Sequence, residues 1–160
     1  MYCLFNHKIV QYRLRGDFMF DVILCTNQQE IFDHLKLRHD VFVLEQKVTM
    51  EEEFDFLDRN ALLFSGLLNG KIIATARVLL YPNYAKIGRF AVLKEYRKKH
   101  YGTHLIESIE QTLVQRGITE VRLSSQLYAK PFYETFGYTA YGAIYLDANI
   151  LHTDMVKKIK

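Results

Sequence analysis

Residues 86–117, KIGRFAVLKEYRKKHYGTHLIESIEQTLVQRG, decide how the chain is read. They open as an apolar, β-prone strand over residues 86–92, pass through a basic loop over residues 93–99, and continue as an amphipathic helix. Leu105, Ile106, Ile109 and Leu113 recur at helical spacing on one face. Gly117 follows Arg116 where a left-handed glycine ends helices, so the helix is expected to stop there. Its start is electrostatically odd. Arg97, Lys98, Lys99 and His100 crowd the end where the helix dipole is positive and cations are disfavoured. An anion would remove that conflict, with Gly102 letting it approach the backbone and the first-turn N–H groups serving as donors. The bland reading is a solvated basic turn.

Working outward, residues 61–68 and 71–80 are apolar β-prone runs joined by Asn69-Gly70, the strongest short hairpin signal, favouring a type I′ turn. Tyr81-Pro82-Asn83 breaks the second run, and the 86–92 strand then returns antiparallel to complete a meander. Beyond Gly117, residues 120–124 read as a short strand. A strand–helix–strand crossover of this length implies parallel, right-handed pairing of the 86–92 and 120–124 strands. Residues 131–138, PFYETFGY, form a short helix ended by Gly137, and residues 138–146 and 152–159 finish the sheet as a hairpin-like pair.

Toward the N-terminus, residues 20–26 are the first core strand, with Cys25 read as a packed thiol. Asn27-x-x-Glu30 then caps a helix that buries Ile31, Phe32 and Leu35. Residues 1–18 fit less well: they lack a signal-peptide core and are read as an upstream extension from an over-long gene start, or as an edge strand over residues 9–14. Glu51, Glu52, Glu53, Asp55 and Asp58 cluster before the hairpin. They are either a solvated face or a field that attracts a cationic amine.

At 160 residues and a net charge of +3, the chain is expected to be one domain with little affinity for nucleic acid. No apolar run approaches the roughly 20 residues that span a bilayer. Cys3 and Cys25 lack CxxC spacing, so neither a disulfide framework nor a zinc site is expected, and a reducing cytoplasm fits best. His100-x-x-x-His104 has the spacing of two metal ligands, but Tyr101 replaces the HExxH glutamate, and no metal is expected.

Arg97-x-x-His100-x-Gly102 resembles the Arg/Gln-x-x-Gly-x-Gly/Ala signature of the GNAT N-acetyltransferase superfamily, whose loop cradles the pyrophosphate of acetyl-coenzyme A. His100 stands where the first glycine is usual, and its Cβ narrows the approach. PFYETFGY resembles the Phe-Tyr-x-x-x-Gly-Phe/Tyr segment of the same enzymes. LRHDVFVLEQ at residues 37–46 and DANILH at residues 147–152 resemble the opening and ending of the small bacterial ElaA-type branch. The resemblance runs from about Met19 to the C-terminus, so residues 19–160 are read as a single GNAT domain.

It implies an α+β (α/β three-layer) fold: a mixed, mostly antiparallel sheet with a central splayed parallel pair and helices on both faces. Phe90, Ala91 and Val92 would offer backbone groups to the pantetheine arm by strand addition, one N–H polarising the thioester carbonyl. Arg97, Lys98, Lys99, His100, Tyr101, Gly102 and Thr103 would hold the phosphates. Tyr133 matches the family tyrosine that protonates the leaving thiolate. Arg38, Glu45 and Gln46 are candidate acceptor contacts, and Glu45 and His152 are candidate bases for a small-molecule or peptide amine. The family also contains strand-exchanging homodimers. Two alternatives remain beside acetyl transfer: transfer of longer acyl chains, as in homoserine-lactone synthases, and a non-catalytic acyl-coenzyme A-binding module.

Overall fold

The computed structural model describes residues 8–13 and 19–160. In chain order the elements are β1 (Lys8–Arg13), β2 (Met19–Leu24), α1 (Gln28–Arg38), α2 (Met50–Glu53), β3 (Leu62–Leu68), β4 (Lys71–Leu80), β5 (Ala85–Val92), α3 (Tyr101–Gln115), β6 (Glu120–Gln126), α4 (Lys130–Glu134), β7 (Thr139–Asp147) and β8 (Ile150–Lys158). A π-helical turn, His39–Glu45, continues α1 toward α2.

Local chemistry sets most of the boundaries. Asn69 and Gly70 have φ of 49° and 83°, both left-handed as a type I′ turn demands, and join β3 to β4. Asn27 accepts from the Glu30 N–H while the Glu30 carboxylate accepts from the Asn27 N–H, the reciprocal cap expected at the start of α1. Thr49 and Glu52 repeat this cap on α2. Gly117, with φ of 78°, follows the end of α3.

The strands form one sheet in the order β1-β2-β3-β4-β5-β6-β8-β7, antiparallel throughout except for the β5–β6 pair. Strand alternation puts Phe20, Val22, Phe64, Ala74 and Ala76 on one face, against Leu105, Ile106, Ile109 and Leu113 of α3. Each of these four α3 side chains is fully buried, worth about 2 kcal/mol apiece. The intervening residues Ile23 and Leu63, with Cys25, meet Ile31 of α1 on the opposite face, and Leu37 and Val41 cover Ala91. Helices therefore cover both faces. The segment offered as an edge strand over residues 9–14 carries β1 at Lys8–Arg13, paired to β2, with residue 14 outside the described residues. The terminal hairpin is interleaved: β8 lies between β6 and β7.

The feature that positions the site is a fork. β5 and β6 pair only through Ala85–Val121, Lys86–Arg122 and Ile87–Leu123. On the other side of β5, Ala91 pairs with Thr75 and Gly88 with Arg77, so Ala76 alone faces both Arg89 and Phe90. That is a β-bulge, and Arg89 sits in it at φ of 50°. A bulge bends its strand, and β5 turns away from β6 at this point.

Candidate active site

Beyond the fork, Gly88, Ala91 and Val92 of β5 pair with β4, and residues 124–126 of β6 pair with β8. The edges that face each other across the gap carry no ladder between them. The gap opens into a cleft of about 1180 Å³ that runs from the start of α3 to the sheet surface beside β8. Its size exceeds that of ordinary single-ligand pockets, which suits two substrates side by side.

One half of the cleft lies along β5 and the start of α3. Phe90, Ala91 and Val92 form one wall, and Arg97, Lys98, His100, Tyr101, Gly102 and Thr103 form the end at the α3 N-terminus. Lys98 and His100 both take left-handed φ, 60° and 64°. The turn that glycine would form freely is thus made by two residues with side chains, at a cost of roughly 1–2 kcal/mol each. A Cβ on Gly102 would meet Phe90 and Phe132 at 3.5 Å and Val92 at 3.7 Å, in ordinary van der Waals contact with the aromatic wall of the cleft.

The expected crowd of cations is dispersed. Arg97 donates through both Nη atoms to Glu45 at 2.6 and 2.8 Å, and through Nε to the Val92 carbonyl at 2.8 Å. The Arg97 hydrogen bonds hold the Glu45 carboxyl below its usual range, which makes it a weak base. Lys99 folds back onto the Glu95 carbonyl at 2.9 Å and, like Glu45, does not line the cleft. Lys98 and His100 remain beside Arg97 as the cleft-lining basic side chains of the turn.

Tyr133 is buried among Phe90, Phe132 and Tyr138, with ring centroids 6.0, 5.1 and 5.9 Å away, and it borders the cleft. Burial pushes its hydroxyl pKa up, so it stays protonated and is a weaker acid than an exposed phenol. His152, buried on β8, also borders the cleft. Its Nδ1 lies 2.8 Å from the Ile150 carbonyl, which can only accept. The neutral ring therefore carries its proton on Nδ1 and keeps Nε2 as an acceptor. Gln46 lines the cleft and accepts from Gln126 Nε2 at 2.8 Å, tying the π-helical turn to β6.

Arg38 departs from its expected role as an acceptor contact. Its side chain is fully enclosed, donating to Glu53 at 2.5 Å and Asp58 at 2.6 Å, and it does not reach the cleft. It is the centre of an ion network, and that network also corrects the reading of the acidic cluster. Arg77 grips Asp55 at 2.6 and 2.9 Å, while Arg89 reaches Glu53 at 2.6 Å and the Glu52 carbonyl at 2.7 Å. Glu53, Asp55 and Asp58 are thereby neutralised by three arginines and cannot act as a bare field for cations. Burial pushes the Glu53 carboxyl up despite those partners. Burial also opposes ionisation of Asp55, but its hydrogen bonds from Arg77 win and bring it to about 2.

Sequence reasoning missed Arg77 and Arg89, because their partners lie 19 to 37 residues away and no local pattern marks them. It also missed Ser124 and Gln126, which line the cleft just past the fork.

The family model for the acetyltransferase (GNAT) domain matches residues 26–159. YjcF of Bacillus subtilis, described as an uncharacterized N-acetyltransferase, is 30% identical over 136 residues, 84% of this chain and 97% of its own length. An acyl-CoA N-acyltransferase from Pseudomonas aeruginosa superposes with a TM-score of 0.77 at 27% identity, covering 86% of this chain and 97% of that one. Escherichia coli ElaA shares the fold, with a TM-score of 0.74 at 22% identity over 88% of this chain and 99% of its own.

Proposed function

The chain belongs to the GNAT acetyltransferase family and is an acyltransferase, and from that premise we propose that it moves an acetyl group from acetyl-coenzyme A to a primary amine of a small molecule or peptide, in the cytoplasm, by direct attack. The catalytic unit in this reading is residues 19–160, with β1 as an added edge strand. The observation that carries it is the fork: a bulged β5 with open backbone groups, leading straight to the N-terminus of a helix. A cofactor arm rich in amides fits an open strand edge, and a diphosphate fits free first-turn N–H groups.

Acetyl-coenzyme A supplies an activated carbonyl on a thiolate leaving group. Phe90, Ala91 and Val92 hold its arm by their backbone groups, and a β5 N–H stabilises negative charge developing on the carbonyl oxygen. Arg97, Lys98, His100 and the amides of Tyr101, Gly102 and Thr103 hold the phosphates, Lys99 adding only long-range charge. Tyr133 donates its proton to the departing sulfur and recovers one from the second proton that the attacking nitrogen sheds as the amide forms. His152 takes a proton from the incoming ammonium at Nε2, directly or through water. Glu45 is the weaker candidate base, since its carboxylate is held by Arg97.

The test is thiol release from acetyl-coenzyme A with a panel of primary amines. Tyr133→Phe is expected to lower kcat on the order of 10²-fold or more while acetyl-coenzyme A still binds. Undiminished turnover in that variant removes Tyr133 from the mechanism. No amine-dependent release by the wild type overturns the acetyl-transfer reading.

A further inference from the structure

On the acceptor side of the cleft lies a hydrogen-bonded group that the mechanism above does not use. Ser124 is the first residue of β6 past the fork and lines the cleft. Its hydroxyl donates to Asp154 Oδ1 at 2.8 Å, and the Tyr145 hydroxyl donates to the same oxygen at 2.8 Å. Neither Asp154 nor Tyr145 borders the cleft itself. Tyr145 also stacks on the His152 ring, centroids 6.0 Å apart and planes 21° apart.

The chemistry of a carboxylate fixes the direction of these bonds. An ionised Asp154 has only lone pairs, so both hydroxyls must point their protons at it. Ser124 has a single proton, and with that proton committed its oxygen can offer the cleft nothing but lone pairs. His152 reaches the same condition by a different route, since its Nδ1 proton is committed to the Ile150 carbonyl and Nε2 is left to accept. Ser124 pairs with Asp154 across the ladder, two residues from His152 on the same strand face. The backbones of such diagonal neighbours lie roughly 7–8 Å apart, a separation that a side chain as long as the His152 imidazole can shorten toward Ser124.

We propose that Ser124 Oγ and His152 Nε2 form a two-acceptor seat that selects a primary amine over an alcohol, with Asp154 as the positioning residue that sets its polarity. The proposal rests on the acetyl-transfer reading for its chemistry and on the hydrogen-bond inventory for its selectivity. An alkylammonium has three N–H donors and so satisfies both acceptors, and the proton that then passes to Nε2 leaves a neutral amine, still held by Ser124 Oγ, with a lone pair for attack. An alcohol has one donor and leaves one acceptor unsatisfied, which discriminates against it by roughly 10- to 100-fold in kcat/KM.

The test uses Ser124→Ala, Ser124→Thr and Asp154→Asn with acetyl-coenzyme A and benzylamine, tyramine or putrescine, whichever the wild type turns over best. Ser124→Ala is expected to raise the amine KM about tenfold while the KM for acetyl-coenzyme A stays put, and Ser124→Thr is expected to restore it. Asp154→Asn should match Ser124→Ala although it is isosteric, because an amide can donate to Ser124 and turn the hydroxyl proton toward the cleft. Unchanged amine KM in both Ser124→Ala and Asp154→Asn overturns the seat while leaving acetyl transfer intact. If the wild type acetylates none of the three amines, the acetyl-transfer reading fails, and benzylammonium binding followed by the Ser124 amide and His152 Nε2 resonances decides the seat. Shifts that vanish in Ser124→Ala uphold it, and absence of any shift overturns it.

Discussion

Arg38 and Arg97 each meet a carboxylate within hydrogen-bond distance, at 2.5 Å to Glu53 and 2.6 Å to Glu45. Their surroundings differ completely. The Arg38 and Glu53 side chains are 0% and 1% exposed, whereas Arg97 and Glu45 are each 36% exposed. In the first pair, neither ion can return to water without opening the protein, so the contact acts as architecture: it pins α1, α2 and, through Arg89, the bulge of β5. In the second, water is always at hand and the bond is cheap to break. Glu45 occupies the guanidinium that the proposed phosphate site needs, so a competing anion can displace it. The same two groups therefore brace the sheet in one place and form an exchangeable contact in the other.

The largest test of this contrast is Glu53→Ala. It strands Arg38 as a buried, half-paired cation, and the expected loss of unfolding free energy is about 3–5 kcal/mol by denaturant titration. A loss below about 1 kcal/mol would show that the network is as replaceable as the surface pair.

His34, fully buried beside the same network, gives a pH signature. Burial first, and the charge of Arg38 next, push its pKa down to about 3. The folded state therefore excludes a proton that the unfolded chain binds below about 6.5. Stability is full above that pH and is expected to fall as the pH drops from about 6.5 toward 3. His34→Gln should flatten that slope in unfolding titrations, and an unaltered slope would assign it to other groups.

How much of this could be read beforehand depended on the range of the interaction. The Asn69-Gly70 turn, the Asn27–Glu30 cap and the Gly117 stop were legible because each is decided within four residues by φ preference or a local hydrogen bond. The fork was half legible. The crossover implies parallel pairing of β5 with β6, but the Arg89 bulge that ends it follows from no pattern in GRFAV. Arg38 was misread for the same reason: its partners Glu53 and Asp58 are 15 and 20 residues away, so a buried brace looked like a polar residue in need of a ligand. Glu45 met its partner 52 residues downstream, which local spacing cannot anticipate.

A smaller effect is expected for Glu45→Gln. The pair is exposed, so stability should change by less than about 1 kcal/mol. Release of Arg97 should lower the KM for acetyl-coenzyme A severalfold in steady-state assays. A raised KM would mean instead that Glu45 holds Arg97 in its working position. The smallest effect is His100→Gly, which relieves a left-handed side chain but adds freedom to the unfolded chain, for a net gain of about 0.5 kcal/mol read as a slightly higher Tm.

The three-rung junction between β5 and β6 has a mechanical corollary. The sheet consists of two leaves, β1 to β5 and β6 with β8 and β7, sewn together by one short seam and by the helix that crosses it. Any molecule whose own amides bridge the gap adds stitches where the protein has none. Its arrival should slow deuterium uptake at residues 88–92 and 124–126 together, on leaves whose stiffness then depends on cofactor concentration.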